Sequence, residues 1–175
     1  MQLSSLSKRL SESATIAMAQ KARALKNEGK DVISLSLGEP DFDTPKHIKE
    51  AAKKALDSGF TKYTPIAGVA ELREAICQKF LRENNLAYQN DQILVSTGAK
   101  QSINQLILSI VNEGDEIIIP TPYWVSYIEM VRMAGGRPIP IETEATNDFI
   151  PDISQFQSKI NDKTKLILFS TPSNP

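Results

Sequence analysis

The chain has 175 residues, of which 41% are hydrophobic, and its 20 lysines and arginines nearly balance 21 aspartates and glutamates. This composition suits a folded domain and excludes a strongly basic surface, so neither a nucleic acid nor an anionic membrane is indicated as a partner. No apolar run has the length of a membrane span or signal peptide, which favours a soluble, cytoplasmic protein. The single cysteine, Cys77, fits the same reducing compartment, and no Cys/His cluster has metal-ligand spacing.

Local signals in the N-terminal half predict three helices and one strand. An alanine-rich helix is expected over residues 13–28, followed by a strand over Asp31–Leu37. A second helix is expected to begin with Thr44 as N-cap and Pro45 in the first helical position. A third, amphipathic helix is expected over residues 69–80.

The pattern changes from Gln92 onward, where short β-branched runs alternate with helical periods. This alternation is typical of βαβ units, so the fold class is predicted to be α/β, with a mainly parallel sheet and flanking helices. The sheet should be incomplete at its C-terminal end, with an exposed edge and an uncovered apolar face that invite aggregation. The predicted strands are Gln92–Ser96, Glu116–Pro120, Arg137–Ile141 and Lys165–Ser170, with helices between the first three.

Three loops that follow these strands could carry chemistry, although each has an ordinary alternative. Ser96-Thr97-Gly98-Ala99-Lys100 opens a helix, where backbone N–H groups favour an anion such as phosphate, but most turns of this kind are only turns. Trp124 could stack on a planar cofactor or simply cover the core. Asn174 could donate a hydrogen bond to a ligand oxygen or serve an ordinary turn. Taken singly, none of these loops decides the function.

Five segments occur together in an order and spacing that is far more specific than any one of them. They are Gly38-Glu39-Pro40-Asp41-Phe42-Asp43-Thr44-Pro45, Lys62-Tyr63-Thr64, Ser96-Thr97-Gly98-Ala99-Lys100-Gln101, Pro122-Tyr123-Trp124-Val125-Ser126-Tyr127 and Ser173-Asn174-Pro175. From about Ser13 to Pro175, the chain resembles the bacterial class I aspartate aminotransferases. The resemblance implies a fold-type I enzyme that uses pyridoxal 5'-phosphate (PLP), with active sites at the interface of a homodimer.

The implied reaction is transamination between aspartate, or a related dicarboxylic amino acid, and 2-oxoglutarate. The resemblance also implies a division of the chain into two parts. Residues 1–40 would contribute to a small domain and to active-site closure, and residues 41–175 would form the first half of the large PLP-binding domain. The Ser13-Ala14-Thr15 segment resembles the mobile N-terminal part that closes over the substrate.

The resemblance assigns cofactor roles to individual residues. Gly98, Ala99 and Lys100 match the turn that binds the PLP phosphate, and Tyr63 matches a tyrosine that reaches the phosphate of the partner subunit. Trp124 matches the aromatic residue stacked on the pyridine ring, and Asn174 matches the asparagine that hydrogen-bonds the phenolic oxygen of the cofactor. The implied cofactor-binding residues are Gly98, Ala99, Lys100, Trp124, Asn174 and Tyr63.

The implied substrate-binding residues overlap with this set. Gly38 matches a glycine near the α-carboxylate of the substrate, and Lys100 matches a lysine that reaches the distal carboxylate of a dicarboxylic substrate. Trp124 and Asn174 are the other two members. The lysine points to aspartate and glutamate, although prephenate is a dicarboxylate as well.

The departure from the family pattern is large. The Schiff-base lysine, the aspartate that pairs with the pyridine nitrogen and the arginine that holds the α-carboxylate all lie beyond residue 175. No catalytic residue is therefore expected in this chain, and its own transamination should be lost or very slow. The alternatives are a noncatalytic remnant or interaction piece, and an aminotransferase for prephenate, aromatic or branched substrates.

Overall fold

The computed structural model describes residues 2, 4–35 and 37–174. Ser36, within the first predicted strand, and Pro175, the last residue of the C-terminal motif, lie outside the described residues. The chain divides into two compact units, one formed by residues 1–39 and 104–175 and the other by residues 40–103. The predicted α/β class with a parallel sheet and flanking helices is confirmed.

Six α-helices, three strands and three short 3-10 helices form the regular structure of the described residues. The helices are α1 (Ala14–Asn27), α2 (Lys46–Asp57), α3 (Ala70–Asn84), α4 (Ala99–Ile110), α5 (Ser126–Met133) and α6 (Ile153–Lys159). The strands are β1 (Glu116–Pro120), β2 (Arg137–Ile141) and β3 (Thr164–Ile167). All strand pairs are parallel and the order is β2-β1-β3, so β1 lies in the centre.

The core of the unit of residues 1–39 and 104–175 is built around β1. Ile117, Ile118 and Ile119 are each 0% exposed, so both faces of this strand are covered. Full burial of such a side chain contributes about 1.5–3 kcal/mol each. Strand β2 carries Pro138 and Pro140, which cannot donate to a ladder and suit the outer side of an edge strand.

Gly136, between α5 and β2, allows the connection to pack against the core. An added Cβ would lie 2.8 Å from Cγ1 of Val111 and 3.0 Å from Cδ1 of Ile117. Both neighbours are buried, so neither can give way easily. A side chain at this position would therefore disturb the packing of α5 against the sheet.

At the amino edge of the sheet, one buried carboxylate connects β1 to β2 and to the segment before β3. Glu116 is 3% exposed, and its side chain accepts hydrogen bonds from Nδ2 of Asn161 at 2.9 Å and from Nη2 of Arg137. Arg137 lies opposite Glu116 on β2, and Asn161 precedes β3. The hydrogen bonds from Asn161 and Arg137 lower the pKa of Glu116, because they favour its charged form.

The unit of residues 40–103 contains α2, α3 and the first turn of α4. The Arg73 side chain donates to the carbonyl of Asn90 at 2.9 Å, and Cys77 is buried beside the same residue. The rings of Phe80 and Tyr88 meet edge to face with centroids 5.8 Å apart. These contacts hold the segment after α3 against that helix.

Two segments predicted as strands do not form strands among their described residues. In Asp31–Leu37, the side chains of Ile33 and Leu35 are 85% and 87% exposed. In Gln92–Ser96, the N–H of Val95 donates to the carbonyl of Ala67 at 3.0 Å, but no ladder follows. An alternating or β-branched pattern favours an extended backbone, whereas a strand also requires a neighbouring chain with matching hydrogen bonds.

The helix predictions were right about existence and less accurate about ends. Helix α2 has Pro45 rather than Thr44 as its N-cap, because the carbonyl of Pro45 accepts from the N–H of Lys49 at 3.1 Å. No residue of α2 is buried. Helix α6 was missed, yet Asp152 and Gln155 form a capping box that signals its start.

Two absences apply to the described part of the chain. No helix there has the length and apolar character that crossing a membrane requires. Nor do those residues contain a group of three or more His, Cys, Asp or Glu side chains that could hold a metal ion.

We expect Glu116→Gln to make the free energy of unfolding less dependent on pH between neutral pH and about pH 3. Because the folded-state pKa of Glu116 is lowered, the carboxylate stabilises the fold above the ordinary carboxyl pKa. That contribution is lost as the pH falls through the folded-state pKa. Urea denaturation followed by circular dichroism at several pH values measures the difference.

Glu83→Gln is the matched control. The pKa of Glu83 is also lowered, by hydrogen bonds from Lys79 and Arg82, but its side chain is 45% exposed. About 0.5 M salt should remove the contribution of this exposed carboxylate and leave that of the buried Glu116. Equal pH dependence for Glu116→Gln and the unmodified chain at high salt would contradict the role assigned to Glu116.

Candidate active site

The turn before α4 lies in the unit of residues 40–103, and it leaves the N-terminus of this helix exposed. Gly98 has a φ of +85°, and an added Cβ would meet no atom within 4 Å. Its carbonyl accepts hydrogen bonds from the N–H groups of Gln101 at 3.1 Å and Ser102 at 3.3 Å, which starts the helix. The first N–H groups of a helix have no carbonyl partners within it, and the dipole there favours an anion.

Two side chains beside this turn were given no separate role by the sequence. Oε1 of Gln101 accepts a hydrogen bond from the N–H of Thr97, and a glutamine three residues after Gly98 is a recognisable capping signal. Oγ of Ser96 is buried and has no hydrogen-bond partner among the described residues. Buried hydroxyls are seldom unsatisfied, so this one is a candidate contact for a group bound beside the turn. The turn therefore fits a phosphate group.

Trp124 lies in the connection from β1 to α5, at the carboxyl edge of the sheet. It is half-buried, and its ring meets that of Tyr127 edge to face, with centroids 5.4 Å apart and an interplanar angle of 86°. The N–H of Tyr127 also donates to the carbonyl of Trp124 at 3.0 Å. Tyr127 stood in a recognised motif, but this contact was not foreseen because local spacing does not give ring orientation.

The segments that precede Trp124 and Asn174 line one cavity of about 510 Å³. Residues 120–123 leave β1 and residues 170–173 follow β3, and both segments lie on the wall of this cavity. Because β1 and β3 are neighbouring parallel strands, their carboxyl ends meet at the same edge of the sheet. The structure thus brings to one edge the segments that directly precede Trp124 and Asn174, two of the predicted cofactor residues.

The other predicted site residues are exposed. Gly38 lies in an irregular segment of the unit of residues 1–39 and 104–175. Tyr63 belongs to the unit of residues 40–103, where its side chain projects fully into solvent beside Thr61 and Lys62. The roles of both residues stay predictions.

The segment before α1 contacts α5 and the loop before β1, and the sequence did not indicate either contact. The backbone N–H of Ser11 donates to Oε2 of Glu129 at 2.8 Å, and Nη1 of Arg9 lies 3.0 Å from Oε2 of Glu113. Ser13 caps α1 by accepting a hydrogen bond from the N–H of Ile16. Ser11, two residues before the Ser13-Ala14-Thr15 segment that resembles a mobile closing element, is therefore held at the helix that follows Trp124.

Curated relatives resemble this chain along almost all of its length. The aspartate/prephenate aminotransferase of Cereibacter sphaeroides is 49% identical over 167 residues, which cover 95% of this chain and 42% of that protein. The aspartate aminotransferase of Bacillus subtilis is 49% identical over 166 residues, with the same coverage of both chains. The chain thus spans less than half the length of these relatives.

Solved structures also match this chain over all of its length but over less than half of their own. The aspartate aminotransferase of Thermus thermophilus with maleate superposes with a TM-score of 0.94 at 45% identity, and the match covers 100% of this chain and 46% of that one. The family model described as aminotransferase class I and II matches residues 30–175. The match includes the turn before α4, Trp124 and Asn174. The chain belongs to the class I and II aminotransferase family.

Proposed function

We propose that the complete polypeptide is a PLP-dependent aminotransferase that moves the amino group of aspartate, or of a related dicarboxylic amino acid, to 2-oxoglutarate. The observation that carries this proposal is the exposed N-terminus of α4, where Gly98 and the unsatisfied hydroxyl of Ser96 fit a phosphate group. Homologues in the matched family use PLP. The relatives named aspartate aminotransferases support the choice of amino donor.

The turn before α4 would hold the cofactor phosphate. The N–H of Gly98 already donates to the carbonyl of Ser96 at 2.8 Å, so this glycine supplies the left-handed backbone conformation. The backbone of Gly98, Ala99 and Lys100 is proposed to bind the phosphate, assisted by the dipole of α4.

The carboxyl edge of the sheet would hold the ring of the cofactor. Trp124 is proposed to stack on the pyridine, and the amide of Asn174 to donate a hydrogen bond to the phenolic oxygen. When bound, PLP supplies an electron sink that stabilises negative charge at the substrate Cα. Trp124 and Asn174 would orient the group, and the indole would exclude water from one of its faces.

The same residues suggest how a substrate would be held. The ammonium group of Lys100 is proposed to pair with the distal carboxylate, and Gly38, which has no Cβ, would let the α-carboxylate approach the backbone. Trp124 and Asn174 would complete the substrate contacts. Prephenate is a second candidate, because relatives from Cereibacter sphaeroides and Thermus thermophilus are named aspartate/prephenate aminotransferases.

The assembly and division of the protein follow from the same proposal. The fully exposed ring of Tyr63 suits a role toward the phosphate of the partner subunit in a homodimer. Residues 1–40 are assigned to a small domain and to closure, and residues 41–175 to the first half of the large PLP-binding domain. The free thiol of Cys77 fits a reducing, cytoplasmic location.

The 175 residues alone are proposed not to complete transamination. The reaction requires an amine that holds the cofactor covalently and moves a proton from the substrate Cα. Lys100 matches a different family role, and no other lysine of this chain lies in a motif for the task. A noncatalytic remnant or interaction piece is the alternative for this chain taken alone.

Gly98→Ala should weaken binding of pyridoxamine 5'-phosphate about 5- to 10-fold, because a strained turn misdirects the N–H groups at the helix N-terminus. Strain at φ +85° should also cost about 1–2 kcal/mol of stability. Pyridoxamine 5'-phosphate has no aldehyde and does not react with lysines. Isothermal titration calorimetry measures the affinity.

Gly59→Ala is the matched control for this substitution. Gly59 lies in the same unit, has a φ of +77°, and offers equally open space to a Cβ. It should lose similar stability and keep the affinity of the unmodified chain. Equal loss of affinity in the two variants would show that the turn before α4 has no special role.

Incubation of the 175-residue chain with PLP, borohydride reduction and peptide mass mapping should label no lysine stoichiometrically. The reason is that the family's cofactor lysine has no counterpart in these residues. A single lysine labelled in stoichiometric amount, together with loss of the bound-cofactor absorbance on addition of aspartate, would show that the chain is competent by itself.

A further inference from the structure

Tyr127 contacts the proposed stacking residue and has none of the roles described so far. Its ring meets the indole of Trp124 edge to face, at 5.4 Å and 86°. This arrangement places the positive edge of one ring against the negative face of the other, which is a favoured geometry for aromatic pairs. The contact therefore restricts the plane of the indole, which would touch the cofactor.

Tyr127 is itself firmly held. It is 4% exposed, and with Met130 and Val131 it forms the buried face of α5, which packs against β2. Its N–H donates a hydrogen bond to the carbonyl of Trp124 at 3.0 Å, so both the backbone and the side chain of Tyr127 contact Trp124. A buried ring on a helix can serve as a fixed reference for a residue in a loop.

Trp124 needs such a reference because of where it lies. The residue is only half-buried, and it belongs to the irregular connection between β1 and α5. Exposed side chains change rotamer on the picosecond to nanosecond time scale, and each rotamer that binding removes costs affinity. Restricting the indole before the cofactor arrives would reduce that cost.

We propose that Tyr127 is a positioning residue that fixes the ring plane of Trp124 in the cofactor-free chain. The consequence for cofactor affinity rests on the proposed function, whereas the restriction of the indole does not. Tyr127 touches neither cofactor nor substrate in this proposal and acts only through Trp124.

The test uses the 175-residue chain, in which Trp124 is the one tryptophan and so the source of tryptophan fluorescence. Three variants are compared by time-resolved fluorescence anisotropy and by titration with pyridoxamine 5'-phosphate. Tyr127→Met removes the ring and keeps an adaptable apolar side chain, and Tyr127→Phe keeps the ring. Tyr88→Met is the matched control, because it removes the ring from the other edge-to-face pair, with Phe80.

Tyr127→Met should add a fast, local component to the anisotropy decay and weaken binding of pyridoxamine 5'-phosphate roughly 3- to 10-fold. Tyr127→Phe should restore both properties to those of the unmodified chain, and Tyr88→Met should change neither. An unchanged anisotropy decay in Tyr127→Met would overturn the proposal. So would a fast component of the same size in Tyr127→Phe.

The two hypotheses fail in different ways. If the unmodified chain does not bind pyridoxamine 5'-phosphate, the proposed function loses its support, and the anisotropy comparison still decides the role of Tyr127. If Tyr127→Met does not fold, as judged by far-ultraviolet circular dichroism, the anisotropy decay of the unmodified chain is the first test of the role of Tyr127. There, a fast local decay overturns the proposal, and without one the comparison is repeated with Tyr127→Leu, a second variant that lacks the ring.

Discussion

Burial of one central strand is the constraint on which the sheet and its edge depend. Ile117, Ile118 and Ile119 are fully buried, so β1 must have a neighbour along each side and cover on both faces. A parallel arrangement with crossing helices is the usual solution for such a strand, since water is excluded from both faces. The positions of β2, β3 and α5 follow from this requirement.

The same arrangement concentrates the candidate chemistry of this unit at one edge. The carboxyl ends of β1 and β3 are adjacent, so the segments before Trp124 and Asn174 share a cavity. The opposite, amino edge carries Glu116 with Arg137 and Asn161, contacts that join all three strands. The residues that join the strands therefore lie at the amino edge of the sheet, and the segments proposed to carry function lie at its carboxyl edge.

In the unit of residues 40–103, a second feature depends on backbone geometry rather than on burial. Gly98 adopts a conformation that other residues reach only with strain, and this conformation begins α4. An exposed helix N-terminus is a weak indication of an anion site by itself. The unsatisfied hydroxyl of Ser96 and the family match together make the assignment to phosphate stronger.

Local sequence signals by themselves determined the α/β class and the positions of most helices, and the resemblance carried by five segments in order indicated the family. Helices α1 and α2 end where Gly29 and Gly59 adopt positive φ just after the C-cap, and such signals need no distant partner. Only the tertiary structure decided that the described residues of Asp31–Leu37 and Gln92–Ser96 do not form strands, that Glu116 is buried, and that Tyr127 meets Trp124. Ladders, burial and ring contacts join residues whose mutual distance and orientation local sequence patterns do not specify, so they become visible only in the folded chain.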